Sequence, residues 1–221
     1  MPNVIPVRYD ILEYPENILQ NIERAARTCY KSEDKITNDS AVALVRNLID
    51  SGHHAMLEFG GWIVVRFWSN RGFTHELVRH RPPSFAQEST RYCNYSKEKF
   101  GKQITVCDPE AVLRMKVKDL DKQAAFKAHL IETWAICESR YMELVGMGCP
   151  AELAREGLPI GLKAEIVIGA NVREWRHIMK LRTKKNAHPR MREVMRPLLA
   201  EFRYATPIIF DDVGTLTDEE A

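Results

Sequence analysis

Residues 79–92 place Arg79, His80 and Arg81 ahead of a Pro82–Pro83 pair and follow them with Gln87, Glu88, Ser89, Thr90, Arg91 and Tyr92. Three arginines, a histidine, two serines and a Gln/Glu pair cannot all be buried without partners, because an unpaired buried charge costs several kcal/mol. Such a segment is either fully solvated or wrapped around something anionic and rich in acceptors, and its apolar flanks favour the second.

Just upstream, His75, Glu76 and His80 look at a glance like a zinc-protease helix. That site needs its histidines four apart on one face, whereas five residues rotate the second ring by roughly 140° at about 100° per residue. No metal is expected here or elsewhere in the chain. Further on, Arg173 and His177 sit four apart and share a helical face, while Arg182 lies nine on and points the opposite way. This serves two ligands, or one ligand and one solvated arginine. Free N–H groups and the positive dipole end at the helix start suit a phosphate near Asn171 and Arg173, although an asparagine cap with exposed arginines also describes an ordinary surface helix.

The elements that must hold these groups are read from apolar spacing. Leu19, Ile22, Ala26 and Cys29 predict a helix over residues 16–29, and Ala41, Val45, Leu48 and Ile49 a second one, capped at Asn38 or Asp39 and stopped by Gly52. The β-branched and aromatic run from Trp62 to Trp68 reads as a central strand. Asn70 then starts a short helix carrying Phe73, Leu77 and Val78, which must end near His80 or Arg81 because prolines follow. A short strand is expected over 103–107. Asp108 and Pro109 open a long helical stretch, broken once or twice before Gly146, with Leu130, Trp134, Cys137, Tyr141 and Leu144 on one face. Residues 150–155 give a helical turn ended by Gly157, and Leu162 to Ile168 is strand-like or helical. Asn171 caps a helix to about Arg182, with Glu174 at its third position. His188 and Pro189 open the last helix, to about Tyr204. Thr206 to Phe210 is expected as a final strand before an acidic tail over 210–221. Helices dominate, so the fold class is α+β, in one domain over 1–221.

The bulk composition sets limits. A 45% apolar content supplies a core, and 32 basic against 30 acidic residues leave a formal charge of only +2, so no global polycation is present and any anion site is local. The five cysteines (Cys29, Cys93, Cys107, Cys137, Cys149) form no CxxC pair, which fits reduced cytoplasmic thiols rather than a disulfide framework or zinc ribbon. No targeting segment or apolar run of spanning length is seen.

Arg79, His80, Arg81, seven residues and then Ser89 match the signature of flavin-dependent thymidylate synthases, and Arg91 and Tyr92 extend the likeness. Ala25, Ala26 and Arg27; Gly52, His53 and Glu58; Arg155 ahead of Leu158 and Pro159; and Asn171, Arg173, Leu181 and Arg182 resemble family positions in the same order, over roughly residues 20 to 200. The resemblance implies a small central mixed or antiparallel sheet flanked by helices, and a homotetramer with FAD where subunits meet. It implies conversion of dUMP to dTMP, with methylenetetrahydrofolate as carbon donor, FAD as hydride carrier and NADPH as reductant. Carried over by position, Arg79, His80 and Arg81 hold the flavin, with Arg79 also reaching the nucleotide. Asn171, Arg173 and His177 line the cofactor site, with Ala55, Glu58 and Gln87 as further cofactor positions. Glu76, Gln87, Glu88, Ser89, Thr90, Arg91, Arg155 and Arg182 surround dUMP. Arg182 is the expected activating residue, stabilising charge that builds at N3 and O4 as C5 of uracil becomes nucleophilic. Ser89 is a hydrogen-bond donor rather than a nucleophile, and Cys93 a packing residue. The chain departs from the common pattern at Ala55, Glu76, Gln87, Glu88 and His177.

Two rival readings are open to test. Arg173, Arg176, Lys180, Arg182, Lys184, Lys185, Arg190 and Arg192 could form a nucleic-acid-binding face, which would bind with steep salt dependence. A helical assembly module would explain the helices and leave residues 79–92 without a reason.

Overall fold

The computed structural model describes residues 1–214. In chain order its elements are β1 (Asn3–Ile5), β2 (Arg8–Glu13), α1 (Ile18–Thr28), α2 (Ser40–Asp50), β3 (Trp62–Asn70), α3 (Arg71–Leu77), β4 (Ser84–Gln87), β5 (Thr105–Cys107), α4 (Glu110–Lys116), α5 (Leu120–Gly146), α6 (Ala151–Ala154), β6 (Lys163–Asn171), α7 (Val172–Arg182) and α8 (Pro189–Ala205). Short 3₁₀ turns intervene, the longest at His54–Gly60. A parallel ladder joins β1 to β5, and a four-stranded sheet runs in the order β2-β3-β6-β4. The class is α+β, as expected. Among the described residues, no helix is long and apolar enough to cross a membrane.

Residue contacts group the chain into two compact units, each stitched from three segments: Met1–Arg8, Phe67–Arg79 and Ala86–Val167 in the first, and Tyr9–Arg66, His80–Phe85 and Ile168–Ala221 in the second. In the first, Tyr95, Ile104, Val106, Trp134, Tyr141, Ala154 and Leu162 form the core. Trp134, Glu138 and Tyr141 recur at helical spacing along α5 and are its buried residues; Glu138 is there to accept from the Ile104 N–H at 2.9 Å, so its burial is compensated. The Trp134 and Tyr141 face is therefore core, while Leu130 and Leu144, expected on the same stripe, are partly exposed. Gly161 is obligatory beside it, because a Cβ would lie 2.5 Å from Trp134 Cζ2.

In the second unit, α1 contributes Ile18, Ile22 and Ala26, α7 contributes Val172, Trp175, Ile178 and Met179, and α8 contributes Met191, Val194, Met195, Leu198 and Phe202. Phe202 is ringed by Trp175 at 5.3 Å, Phe210 at 5.1 Å and Tyr14 at 5.6 Å. Trp175 satisfies its indole N–H on the Ile63 carbonyl at 3.0 Å. Gly60 lets the His54–Gly60 turn approach α7 closely, since a Cβ there would sit 2.8 Å from Val172 Cγ2.

Several expectations are settled or corrected. β6 is a strand: Ala164, Ile166, Ile168 and Ala170 are buried alternately with less buried neighbours, a period of two that a helix cannot produce. The expected strand over 206–210 is instead a bend and turn. Pro207 has no N–H to donate and Ile208 adopts φ +81°, so no ladder can form, while Ile209, Phe210 and Val213 turn inward. Of the expected acidic tail, 215–221 lies outside the described residues. β1, β2 and β4 were not foreseen; β4 runs through the middle of the charged 79–92 segment.

Candidate functional site

Asn171 ends β6 and caps α7, its Oδ1 accepting from the Glu174 N–H at 2.9 Å. The cap fixes the helix register, and with it the direction of every side chain on the first two turns. Beside α7 lies a cavity of about 620 Å³, to which the helix gives Asn171, Arg173, Glu174, His177 and Lys180. The 3₁₀ turn adds His54 and Glu58, and Arg173 Nη1 donates to Glu58 Oε1 at 2.6 Å. This pair is about half exposed, so it adds little stability and leaves Arg173 available to a ligand. Ala55 is exposed on the same turn, where its neighbours His54 and Glu58 form the wall.

His80 is buried, with 6% of its surface exposed, between exposed Arg79 and Arg81. Its Nε2 accepts from Arg182 Nε at 3.0 Å, and because an arginine can only donate, the ring proton sits on Nδ1. The His177 ring meets His80 edge-on at 5.7 Å. Burial, then the Arg182 guanidinium and His177, push the His80 pKa down to about 4, so the ring is neutral near neutral pH. Nδ1 lies 3.5 Å from Glu174 Oε1, a separation within ion-pair range, yet with a neutral ring no ion pair forms and Oε1 is left buried without a hydrogen-bond partner. Burial also raises the Glu174 pKa, against the opposing charges of His177 and Arg173. An orphaned buried acceptor beside a cavity is a place for a ligand N–H or O–H.

One expectation is corrected here. Arg182 does not point away from His177, because its long side chain and His177 converge on one imidazole. The donor atoms of His80, Glu174 and His177 lie within 4.8 Å of one another. A guanidinium already occupies the acceptor nitrogen of His80, so the trio is read as a polar lining rather than a metal centre.

The other expected residues gather in the first unit. Thr90 is buried, and two guanidinium groups converge on its hydroxyl: Arg71 Nη2 at 3.0 Å and Arg155 Nη1 at 3.4 Å. Neighbouring arginines repel, and neither the shared hydroxyl nor the long, exposed pair of Arg155 with Glu156 at 3.9 Å does much to neutralise them, so this is a place for an anion. Gln87 Nε2 donates to Thr74 Oγ1 at 3.2 Å. Glu88 is committed: it accepts from Lys163 Nζ at 2.7 Å, from the Glu165 N–H at 3.2 Å and from the Tyr95 hydroxyl at 3.2 Å. Ser89 Oγ accepts from the Arg91 N–H at 3.3 Å, in a turn, and Arg91 reaches exposed Glu152 at 3.5 Å. Glu76 is half-buried on α3, and exposed Arg79, like exposed Arg81 of the second unit, makes no side-chain hydrogen bond or ion pair among the described residues.

Arg71, Glu174, Lys180 and Asp212 were missed by sequence reasoning. Arg71 carried one signal, a cation in the first turn of a helix, where the dipole opposes it; Asp212 falls in the stretch read only as the start of an acidic tail. The basic run from 173 to 192 is not a free cationic face, since Arg176 and Arg190 are buried and paired with Asp212 and Glu193.

A model of the family described as thymidylate synthase complementing protein matches residues 10–208. Proteins named flavin-dependent thymidylate synthase are similar over most of their length. The one from Corynebacterium glutamicum is 32% identical, with 89% of this chain and 81% of the relative covered. That from Pyrococcus abyssi is 30% identical, with 88% and 78% covered. The Geobacter sulfurreducens protein is 29% identical, with 86% and 79% covered.

Proposed function

Because the chain belongs to the thymidylate synthase complementing protein family, we infer that it is a flavin-dependent thymidylate synthase, which methylates dUMP to dTMP using methylenetetrahydrofolate, FAD and NADPH. The observation that carries this reading is the cavity beside α7. Its chemistry fits a flavin dinucleotide: Arg173, Lys180 and the helix start suit a diphosphate, and Glu174 Oε1 is a buried acceptor in need of a donor. When bound, the flavin supplies the hydride chemistry.

The chain's own residues bind, orient and polarise. Asn171, Arg173 and His177, with Glu58, His80 and the uncommitted Arg79 and Arg81, are assigned to the cofactor. Arg71, Arg155 and Thr90 are assigned to the nucleotide phosphate, with Glu76, Gln87, Ser89 and Arg91 around it. Glu88 fixes the backbone behind them through Lys163 and Glu165. Neutral His80 accepts from Arg182 without competing for positive charge, so the guanidinium is oriented at full strength. Arg182 is assigned the stabilisation of charge building on the pyrimidine. Ser89 is assigned a donor role. The family resemblance further supports a homotetramer in the cytoplasm; exposed Phe126 and Ile136 on α5 offer apolar surface for contact between copies.

The purified protein is expected to be yellow and to oxidise NADPH faster when dUMP is added. A colourless chain that takes up no FAD would overturn the reading. Arg182→Ala is expected to slow methylation by about two orders of magnitude, the loss typical of one oxyanion donor; unchanged turnover would remove Arg182 from the mechanism.

A further inference from the structure

Residues 209–214 lie past the end of the family match at 208, yet Asp212 and Val213 line the cavity beside α7. The turn is locked down from two helices. From α7, Arg176, itself only 7% exposed, donates to the Ile209 carbonyl and grips Asp212 at both ends of its guanidinium, Nη1 to Oδ1 at 2.6 Å and Nη2 to Oδ2 at 2.7 Å. From α8, Arg203 donates Nε to the Phe210 carbonyl at 3.2 Å and Nη2 to the Val213 carbonyl. Ile209, Phe210 and Val213 are buried. Ile208 is β-branched yet holds φ +81°, with its N–H tied to Asp211 Oδ2 at 2.7 Å. A left-handed isoleucine persists only where its surroundings dictate it.

Arg176 also lines the cavity, so the state of its charge matters to any ligand there. The bidentate pair fixes its position and neutralises it, leaving Arg173 and Lys180 as the cations presented to phosphate. Burial works against ionisation of Asp212, but the hydrogen bonds and charge of Arg176 outweigh it, so the carboxylate stays ionised and the grip holds. Without Asp212, Arg176 would be a buried cation lacking its counter-charge, in a wall no longer tied down.

We propose that the 209–214 turn is a wall of the cofactor cavity and that Asp212, acting through Arg176, is a positioning residue on which retention of FAD depends. This rests on the reading that the cavity takes the flavin dinucleotide. The test measures FAD dissociation constants by flavin fluorescence for the wild type, Asp212→Asn and Asp212→Glu. The asparagine variant keeps the shape and loses the charge; it is expected to bind FAD about tenfold more weakly or worse. The glutamate variant should recover most of that loss, and KM for dUMP at saturating FAD should hold, which a general loss of folding would not allow. An asparagine variant within about twofold of a wild type that binds FAD overturns the role of Asp212 alone; a wild type that binds none refutes the functional reading instead. Should Asp212→Asn fail to fold, amide exchange on the wild type decides: FAD must slow exchange across 209–214, and unchanged exchange there overturns the proposal.

Discussion

Acidification should loosen the second unit through His80, and the size of the effect follows from its surroundings. The ring is buried, accepts from Arg182 and has its pKa lowered from 6.5 to about 4. A base whose folded pKa is depressed is protonated first in the unfolded chain, so as pH falls below 6.5 the unfolded state takes up the proton that the folded state refuses. Stability is therefore full above about 6.5, declines by at most about 1.4 kcal/mol per pH unit between 6.5 and about 4, and levels off below. Over the whole window the ceiling is about 3 kcal/mol. The assay is the urea midpoint of the flavin-free chain at stepped pH, for the wild type and for His80→Gln, which keeps an acceptor for Arg182 but cannot titrate. Carboxylates titrate in both proteins and cancel in the difference. Parallel loss of stability in the two chains across this window would refute the reasoning.

Two further outcomes are expected. Arg71→Ala should raise KM for dUMP by about tenfold, as one of two guanidinium groups at Thr90 is lost, while FAD affinity stays at the wild-type level; steady-state kinetics with a flavin titration check this, and an unaltered KM would remove Arg71 from the nucleotide site. Gly161→Ala should destabilise the chain by about 1–3 kcal/mol, since the new methyl would meet the Trp134 ring at 2.5 Å. A thermal midpoint equal to that of the wild type would show that the ring yields freely.

Much of this was legible in the residues themselves. Caps are local chemistry, so Asn70 and Asn171 announced α3 and α7, and both side chains do accept from the third residue of the helix. The run from Trp62 declared β3 by composition. What stayed hidden depends on residues distant in sequence. Arg182 was assigned a direction from helical rotation alone, but an arginine is long enough to reach around the helix to His80. The role of Asp212 needs Arg176, and that of Arg71 needs Thr90, and no local pattern joins these pairs. The misread strand over 206–210 shows the same limit: its apolar residues are inward plugs on a turn, and apolar composition cannot distinguish the two.

That each unit is assembled from three separated stretches of chain has a consequence during biosynthesis. Neither half can be completed by a ribosome that has made only the first two-thirds of the polypeptide, because the first still lacks the end of its Ala86–Val167 stretch and the second lacks α7 and α8, which fill its interior. Until then α1 and α2 can pack only on each other and on the His54–Gly60 turn, without the rest of their core. Closing such long loops is slow, and a truncated product should aggregate rather than accumulate as a stable fragment.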